Sequence, residues 1–149
     1  MHYRARPPLE KQNHPNSCWA AAISSFSRIS SGIPNYSERD LYTTYGDASK
    51  GYGLNAAGLE RVRSRMASHG CRLDLVSGAI CLPYDVEDKL VKSHVVIMWC
   101  VGGSDWHANL VYGIDNSTIS AMETRDGSYR TRPWSHYMSA PGQYLLWRP

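Results

Sequence analysis

The sequence predicts an α+β fold in which a helical N-terminal half is followed by an antiparallel β-sheet half. Apolar residues recur at helical spacing mainly before Gly70, whereas after it most apolar runs have the length and turn boundaries of strands. Apolar residues make up 42% of the 149 residues and charged residues 19%, as is ordinary for a folded protein. We therefore expect one domain over residues 1–149, with a ligand cleft between its two halves.

The helical half begins with an extended, polar lead-in over residues 1–12. The helix-start residues Pro15, Asn16 and Ser17 precede a first helix that opens at Cys18. Its apolar side chains recur at helical spacing: Trp19, Ile23 and Phe26.

Two more helices complete the helical half. Ser37-Glu38-Arg39-Asp40 resembles a capping box and opens a short helix through Tyr45. Asn55 can cap a third helix that runs to about His69, and Gly70 is placed to end it.

The sheet half contains five predicted strands and one short helix, Asp85–Lys92. Gly102-Gly103 and Asp115-Asn116-Ser117 are turn sequences between strands. The predicted strands are Cys71–Val76, Val95–Val101, His107–Ile114, Thr118–Thr124 and Gln143–Trp147.

Composition excludes several classes of function. The net charge of +3 comes from scattered basic residues rather than a stripe, so we expect no nucleic-acid partner. No run approaches the roughly 18 apolar residues that span a membrane. The four cysteines form no CxxC pair and no zinc-like Cys/His set, so we expect no metal and no cofactor. Met1–Gln12 is not a secretory signal peptide, which argues against ordinary signal-directed export.

Cys18 differs from the other three cysteines because it opens a helix. Unpaired N–H groups and the positive end of the helix dipole favour a thiolate there. Cys71 and Cys100 lie instead in strand-like runs, where a free cysteine behaves as a small apolar residue.

The residues around Cys18 resemble the papain-like cysteine protease superfamily. Gln12 lies six positions before Cys18, and Trp19 follows directly, as in the Gln, five residues, Cys-Trp signature of that family. The resemblance implies that Cys18 is the nucleophile. It also implies that the Gln12 amide and the Cys18 backbone N–H stabilise the oxyanion.

His107 is the histidine whose context matches the second half of this motif. It opens an apolar strand, His107–Ile114, that ends in glycine and a turn. We predict that His107 is the general base, and that Trp19 and Trp106 either pack in the core or shield the Cys–His pair from water.

A third group must orient the imidazole, and strand geometry separates the candidates. Asp115 and Asn116 would lie about 26–30 Å from His107 along an unbroken strand, so they suit the turn better. With a three-residue loop over 115–117, Glu123 lies opposite Asn109. Its side chain is then on the same face of the sheet as that of His107.

Other loops change where Glu123 lies. A loop over 114–116 places it directly opposite His107, and a two-residue loop turns it to the wrong face. We predict Glu123 as the third member, with Asp126, beyond the strand end, as the alternative.

Within the superfamily, the pattern is most similar to small avirulence-type cysteine protease effectors of plant-pathogenic bacteria. These have a Trp-His opening a strand and, after a turn and a second strand, an acidic residue followed by Pro. Here that position is Glu123-Thr124 instead of Asp-Pro.

The resemblance implies a cysteine peptidase that acts through a thioester on a protein or peptide. It also implies a bacterial effector or toxin domain, delivered by a specialised secretion system into the cytoplasm or periplasm of a target cell. Such a domain would need an inhibitor (immunity) protein or a host activating factor. The alternatives are a papain-fold deamidase or transglutaminase acting on protein glutamine, and an inactive papain-like binding module.

Overall fold

A single antiparallel sheet organises the fold in the computed structural model, which describes residues 1–46, 56–79, 81–103, 105–139 and 142–149. The helices are α1 (Cys18–Ile29), α2 (Glu38–Tyr45), α3 (Ala56–Ser68) and α4 (Pro83–Leu90), with a 3-10 helix at Trp134–Tyr137. The strands are β1 (His2–Tyr3), β2 (Asp74–Ala79), β3 (Val95–Gly102), β4 (Asp105–Asp115), β5 (Thr118–Glu123), β6 (Ser128–Pro133) and β7 (Gln143–Trp147).

The strand order across the sheet is β2-β7-β3-β4-β5-β6. Strand β1 pairs with β4 at Gly113 and Ile114, beyond the point at which β3 ends its own pairing with β4. Strands β3, β4, β5 and β6 are consecutive in the chain and adjacent in the sheet, so they form the meander that carries most of the candidate site.

Helices cover both faces of the sheet, and the alternation along β3 shows how. Val96 and Met98 point into the core beneath α1, α2 and α3. Ile97 and Trp99 point to the opposite face, where α4 and the 3-10 helix cover them. This arrangement confirms the predicted α+β class with its helical half first.

The predicted elements are present, with shifted ends. The Ser37 hydroxyl accepts from the Asp40 N–H (3.0 Å), as the capping box predicts. Gly70 has a φ of 87°, which suits its role just after α3. The predicted cap Asn55 lies outside the described residues.

Three element predictions need correction. Strand β2 begins at Asp74 rather than Cys71. Helix α4 begins at Pro83, because proline is favoured in the first turn and the Asp85 carboxylate accepts the Leu82 N–H (2.6 Å). Strands β1 and β6 and the 3-10 helix were not predicted at all.

The lead-in over residues 1–12 is tied to the sheet and to α1. The Pro7 carbonyl accepts from Tyr129 Oη (2.7 Å), and the Pro8 carbonyl accepts from Ser25 Oγ (2.5 Å). The Gln12 N–H donates to the Thr124 carbonyl (2.7 Å). These contacts bring Gln12 beside the end of β5. Of the residues described, none belongs to a helix with both the length and the apolar character needed to cross a membrane.

Candidate active site

Cys18 is the first residue of α1 and is buried, with 2% of its surface exposed. Ser17 precedes it, but the Ser17 hydroxyl donates to the His14 carbonyl (3.1 Å) and accepts from the His14 N–H (3.0 Å). It therefore forms no side-chain cap on α1. The N–H groups of the first turn have no partner within the helix, so they can serve a ligand instead. Cys18 Sγ lies 3.9 Å from the Trp106 carbonyl oxygen, next to His107.

His107 lies near the start of β4, opposite Trp99 of β3, and is buried (5% exposed). The Trp99 ring meets the imidazole edge-on at 5.3 Å between centroids. His107 Nε2 is 2.5 Å from Glu123 Oε2, which leaves Nδ1 for Cys18. Burial lowers the pKa of His107, but hydrogen bonds with Cys18 and Glu123 outweigh it and raise that pKa to about 9. The site therefore favours a protonated imidazole at neutral pH.

Glu123 ends β5 and is held by four neighbouring groups. Oε1 accepts from Arg132 Nη1 (2.8 Å), and Oε2 contacts His107 Nε2. The Asn109 amide, oriented with its nitrogen towards the carboxylate, donates to Oε2 (2.7 Å), and the Arg125 N–H does so at 3.3 Å. Burial raises the pKa of Glu123, but the hydrogen bonds from His107 and Arg132 dominate and hold it at about 2. The carboxylate stays ionised.

The register between β4 and β5 places Glu123 on the face of His107. The turn is the two-residue Asn116–Ser117, which by itself would turn Glu123 to the other face. A bulge at Tyr112 adds one residue to β4, so Glu123 lies opposite Asn109. The predicted pairing is therefore present, although the three-residue loop proposed for it is wrong.

Asp126, the alternative third member, lies in the β5–β6 turn and does not contact His107. Its carboxylate accepts from Ser128 Oγ (2.6 Å) and from Arg130 Nη2 (2.9 Å). Its side chain is 46% exposed. The structure thus brings Cys18, His107 and Glu123 together and leaves Asp126 apart.

Gln12 lies in the cleft with His107, but its amide is engaged elsewhere. Nε2 donates to the carbonyls of His14 (3.0 Å) and Pro15 (3.3 Å). Oε1 is buried without a hydrogen-bond partner among the described residues. An oxyanion could accept from Gln12 only if it replaced one of these carbonyls.

The cleft has a volume of about 340 Å³ and lies between the two halves, as predicted. Trp106 lines it and packs on Tyr144 at 4.9 Å between ring centroids. Trp19 is fully buried in the core beneath the sheet, which fits packing rather than shielding. The cleft residues are Gln12, Pro15, Asn16, Val101, Asp105, Trp106, His107 and Arg125.

Cys71 and Cys81 are buried thiols of the core. All four cysteines are free. Burial raises the pKa of the Cys71 and Cys81 thiols, which suits inert core residues. Among the described residues, no group of three or more His, Cys, Asp or Glu side chains could hold a metal ion.

Three residues of the site were not found from the sequence. Trp99 lies opposite His107 because the register shifts between Cys100 and Gly102, whereas a two-residue Gly102-Gly103 turn alone would pair Trp99 with Trp106. Asn109 was predicted only as the residue opposite Glu123, not as a hydrogen-bond donor to its carboxylate. Arg132 lies on β6, and the polar sequence of this segment did not predict a strand.

Comparison with known proteins supports the fold. No protein-family model matches the sequence, and a search of curated proteins gave no significant match. The peptidase domain of Streptococcus ComA, a bifunctional ABC transporter involved in quorum sensing, is similar in structure (TM-score 0.68, 17% identity, covering 97% of this chain and all of that one). A putative C39-like peptidase from Bacillus anthracis is also similar (TM-score 0.74, 10% identity, covering 99% and 97%). The chain therefore has the papain-like fold of C39 peptidase domains.

Proposed function

We propose that this protein is a cysteine peptidase in which Cys18 is the nucleophile, His107 the acid–base residue and Glu123 the residue that orients it. The observation that carries the proposal is the continuous chain of contacts from a helix-opening thiol through a buried imidazole to a buried carboxylate. The similarity in fold to C39 peptidase domains supports a peptide bond as the target.

The chemistry follows from this arrangement. Cys18 Sγ attacks the carbonyl carbon, and the negative charge that develops on the carbonyl oxygen is stabilised by N–H groups at the start of α1. His107 gives its proton to the leaving amine as the C–N bond breaks, and a thioester remains. His107 then takes a proton from water, whose oxygen attacks the thioester, and Cys18 is released.

The Gln12 amide must move for it to contribute to the oxyanion hole. In this structure both carbonyls that it contacts belong to the loop before Cys18. We propose that substrate binding exchanges one of these contacts for the oxyanion. Gln12→Ala should then lower kcat by about 10²-fold, as loss of one oxyanion donor does in other enzymes.

Reaction with iodoacetamide tests the nucleophile without a known substrate. Cys18 should be alkylated faster than the buried Cys71 and Cys81, and His107→Ala should remove the difference. Cys18→Ala should abolish turnover and leave thermal unfolding unchanged. A Cys18 no more reactive than Cys71 would favour the alternative of an inactive papain-like binding module.

Deamidation and transglutamination of protein glutamine share the chemistry up to the thioester and are alternatives to proteolysis. Mass spectrometry of candidate proteins separates the three outcomes. A chain break indicates proteolysis, a gain of about one dalton indicates deamidation, and a cross-link indicates transglutamination.

The effector or toxin role remains a proposal, supported by the motif resemblance alone. It entails delivery by a specialised secretion system into the target-cell cytoplasm or periplasm, and an immunity protein or a host activating factor. A neighbouring gene whose small product binds the chain and blocks Cys18 alkylation would support an immunity protein. Absence of toxicity on expression in either compartment would count against a toxin.

A further inference from the structure

A second hollow adjoins the cleft at His107. It has a volume of about 370 Å³ and shares His107, Val101 and Arg125 with the cleft. Its lining residues are Trp99, Cys100, Val101, His107, Glu123, Arg125, Arg132, His136 and Met138. Hereafter it is called the His136 cavity.

The His136 cavity has a surplus of positive charge. Glu123 is its one carboxylate among the described lining residues, and Arg132 already pairs with it. Asp105 lines the cleft only. Glu123 also contacts His107, so its single negative charge is shared between two cations. Arg125, the other arginine that lines the cavity, is exposed and has no ion pair among the described residues.

The positive charge around the cavity also affects the pKa of His136. Burial lowers the pKa of His136, and the positive charges of Arg132, His107 and Arg125 lower it further, against the opposing effect of Glu123. Its ring lies against Trp99, with 5.6 Å between centroids. The cavity thus has an apolar wall of Trp99 and Met138 and a cationic rim.

The position of the cavity indicates which part of a substrate enters it. His107 protonates the leaving amine, so the chain beyond the scissile bond departs past His107. Gln12 and the loop residues Pro15 and Asn16, which precede α1, line the cleft and not the His136 cavity. The residues that follow the scissile bond therefore lie nearest the His136 cavity.

We propose that the His136 cavity binds an acidic side chain located within the first two residues after the scissile bond, with Arg125 as its ion-pair partner. This inference rests on the peptidase function proposed above. An aspartate or glutamate carboxylate meets Arg125 and the remaining N–H groups of Arg132, while its methylene groups pack on Trp99.

Cleavage of a proteome-derived peptide library by the full chain tests this, with the new N-termini sequenced by mass spectrometry. Wild-type protein should favour Asp or Glu at the first or second new residue by about fivefold, the upper range for a solvent-accessible ion pair. Arg125→Glu should reverse the preference towards Lys and Arg. Arg130→Glu, a matched charge reversal on a residue that pairs with Asp126 outside the cavity, should leave it unchanged.

The outcomes separate the two proposals. Cleavage that depends on Cys18 but shows no acidic preference, or one that Arg125→Glu does not alter, overturns the acidic site and leaves the peptidase intact. Absence of cleavage overturns the peptidase.

In the case of no cleavage, the ratio of Cys18 alkylation rates with iodoacetate and iodoacetamide still tests the site. Arg125→Glu should lower this ratio by about fivefold through loss of attraction for the anionic reagent. An unchanged ratio overturns the acidic site.

Discussion

The substitution Glu123→Gln tests the third member of the site most directly, because it removes the charge and nearly preserves the shape. The Glu123 side chain is 8% exposed and contacts both His107 and Arg132. The rise in the pKa of His107 from 6.5 to about 9 corresponds to about 3 kcal/mol of preference for the protonated imidazole. Cys18 and Glu123 share that stabilisation, and burial opposes it.

Without the carboxylate, only Cys18 stabilises the imidazolium against burial. We expect the pKa of His107 to fall to its ordinary 6.5 or below. At about pH 7.5, the protonated fraction would then drop from nearly all to about one tenth. Alkylation of Cys18 by iodoacetamide at that pH should slow about tenfold, and kcat/KM should fall by about 10²-fold or more.

The assay is the rate of carbamidomethylation of the Cys18 peptide, measured by mass spectrometry across pH. Asp126→Asn is the matched control, since it makes the same carboxyl-to-amide change on an exposed residue three positions away. It should retain the wild-type profile within about twofold, because surface changes have small effects. A wild-type profile in Glu123→Gln, or a slowed rate in Asp126→Asn, would refute the assignment of Glu123.

Further predictions concern stability. Arg132→Gln leaves Glu123 Oε1 without its ionic partner, so the free energy of unfolding measured with urea should fall by about 2 kcal/mol, and Arg132→Lys should restore part of it. The pKa of Glu123 is lowered from 4.5 to about 2, so its stabilising effect is complete above 4.5 and is lost as pH falls towards 2. Urea midpoints should decline over that interval, and decline less in Glu123→Gln. A Cβ at Gly113 would clash with the Tyr3 ring. Gly113→Ala should therefore cost about 1 kcal/mol in wild-type protein and less in a Tyr3→Ala background, as thermal unfolding would measure.

Much of the fold could be predicted because its signals are local. Helical spacing located α1, and the capping box at Ser37 located α2, since both depend on residues within one or two turns. The apolar runs located β3, β4 and β7 because buried central strands are nearly continuous in apolar residues. Strand β2 was placed too early because Cys71 and Leu73 are buried although they precede the strand.

The site was harder to predict because part of it depends on long-range pairing. Strand β6 has an exposed or half-buried polar sequence, Ser128–Pro133, as edge strands commonly have, so its Arg132 could not be placed beside Glu123. The engagement of the Gln12 amide with His14 and Pro15 depends on the path of the loop before Cys18. A motif specifies residue types and spacing but not that path.

The bulge at Tyr112 decides which lengths of the two strands keep the site aligned. If Tyr112 were paired, the two-residue turn would set Glu123 opposite Leu110 and Thr124 opposite Asn109; because Tyr112 is unpaired, Glu123 lies opposite Asn109. Deletion of Tyr112 would therefore remove the bulge and keep this pair, whereas deletion of Ala121 on the facing strand would bring Thr124 opposite Asn109. The hairpin thus tolerates loss of a residue at the bulge of β4 but not in β5 before Glu123, although both positions are remote from Cys18.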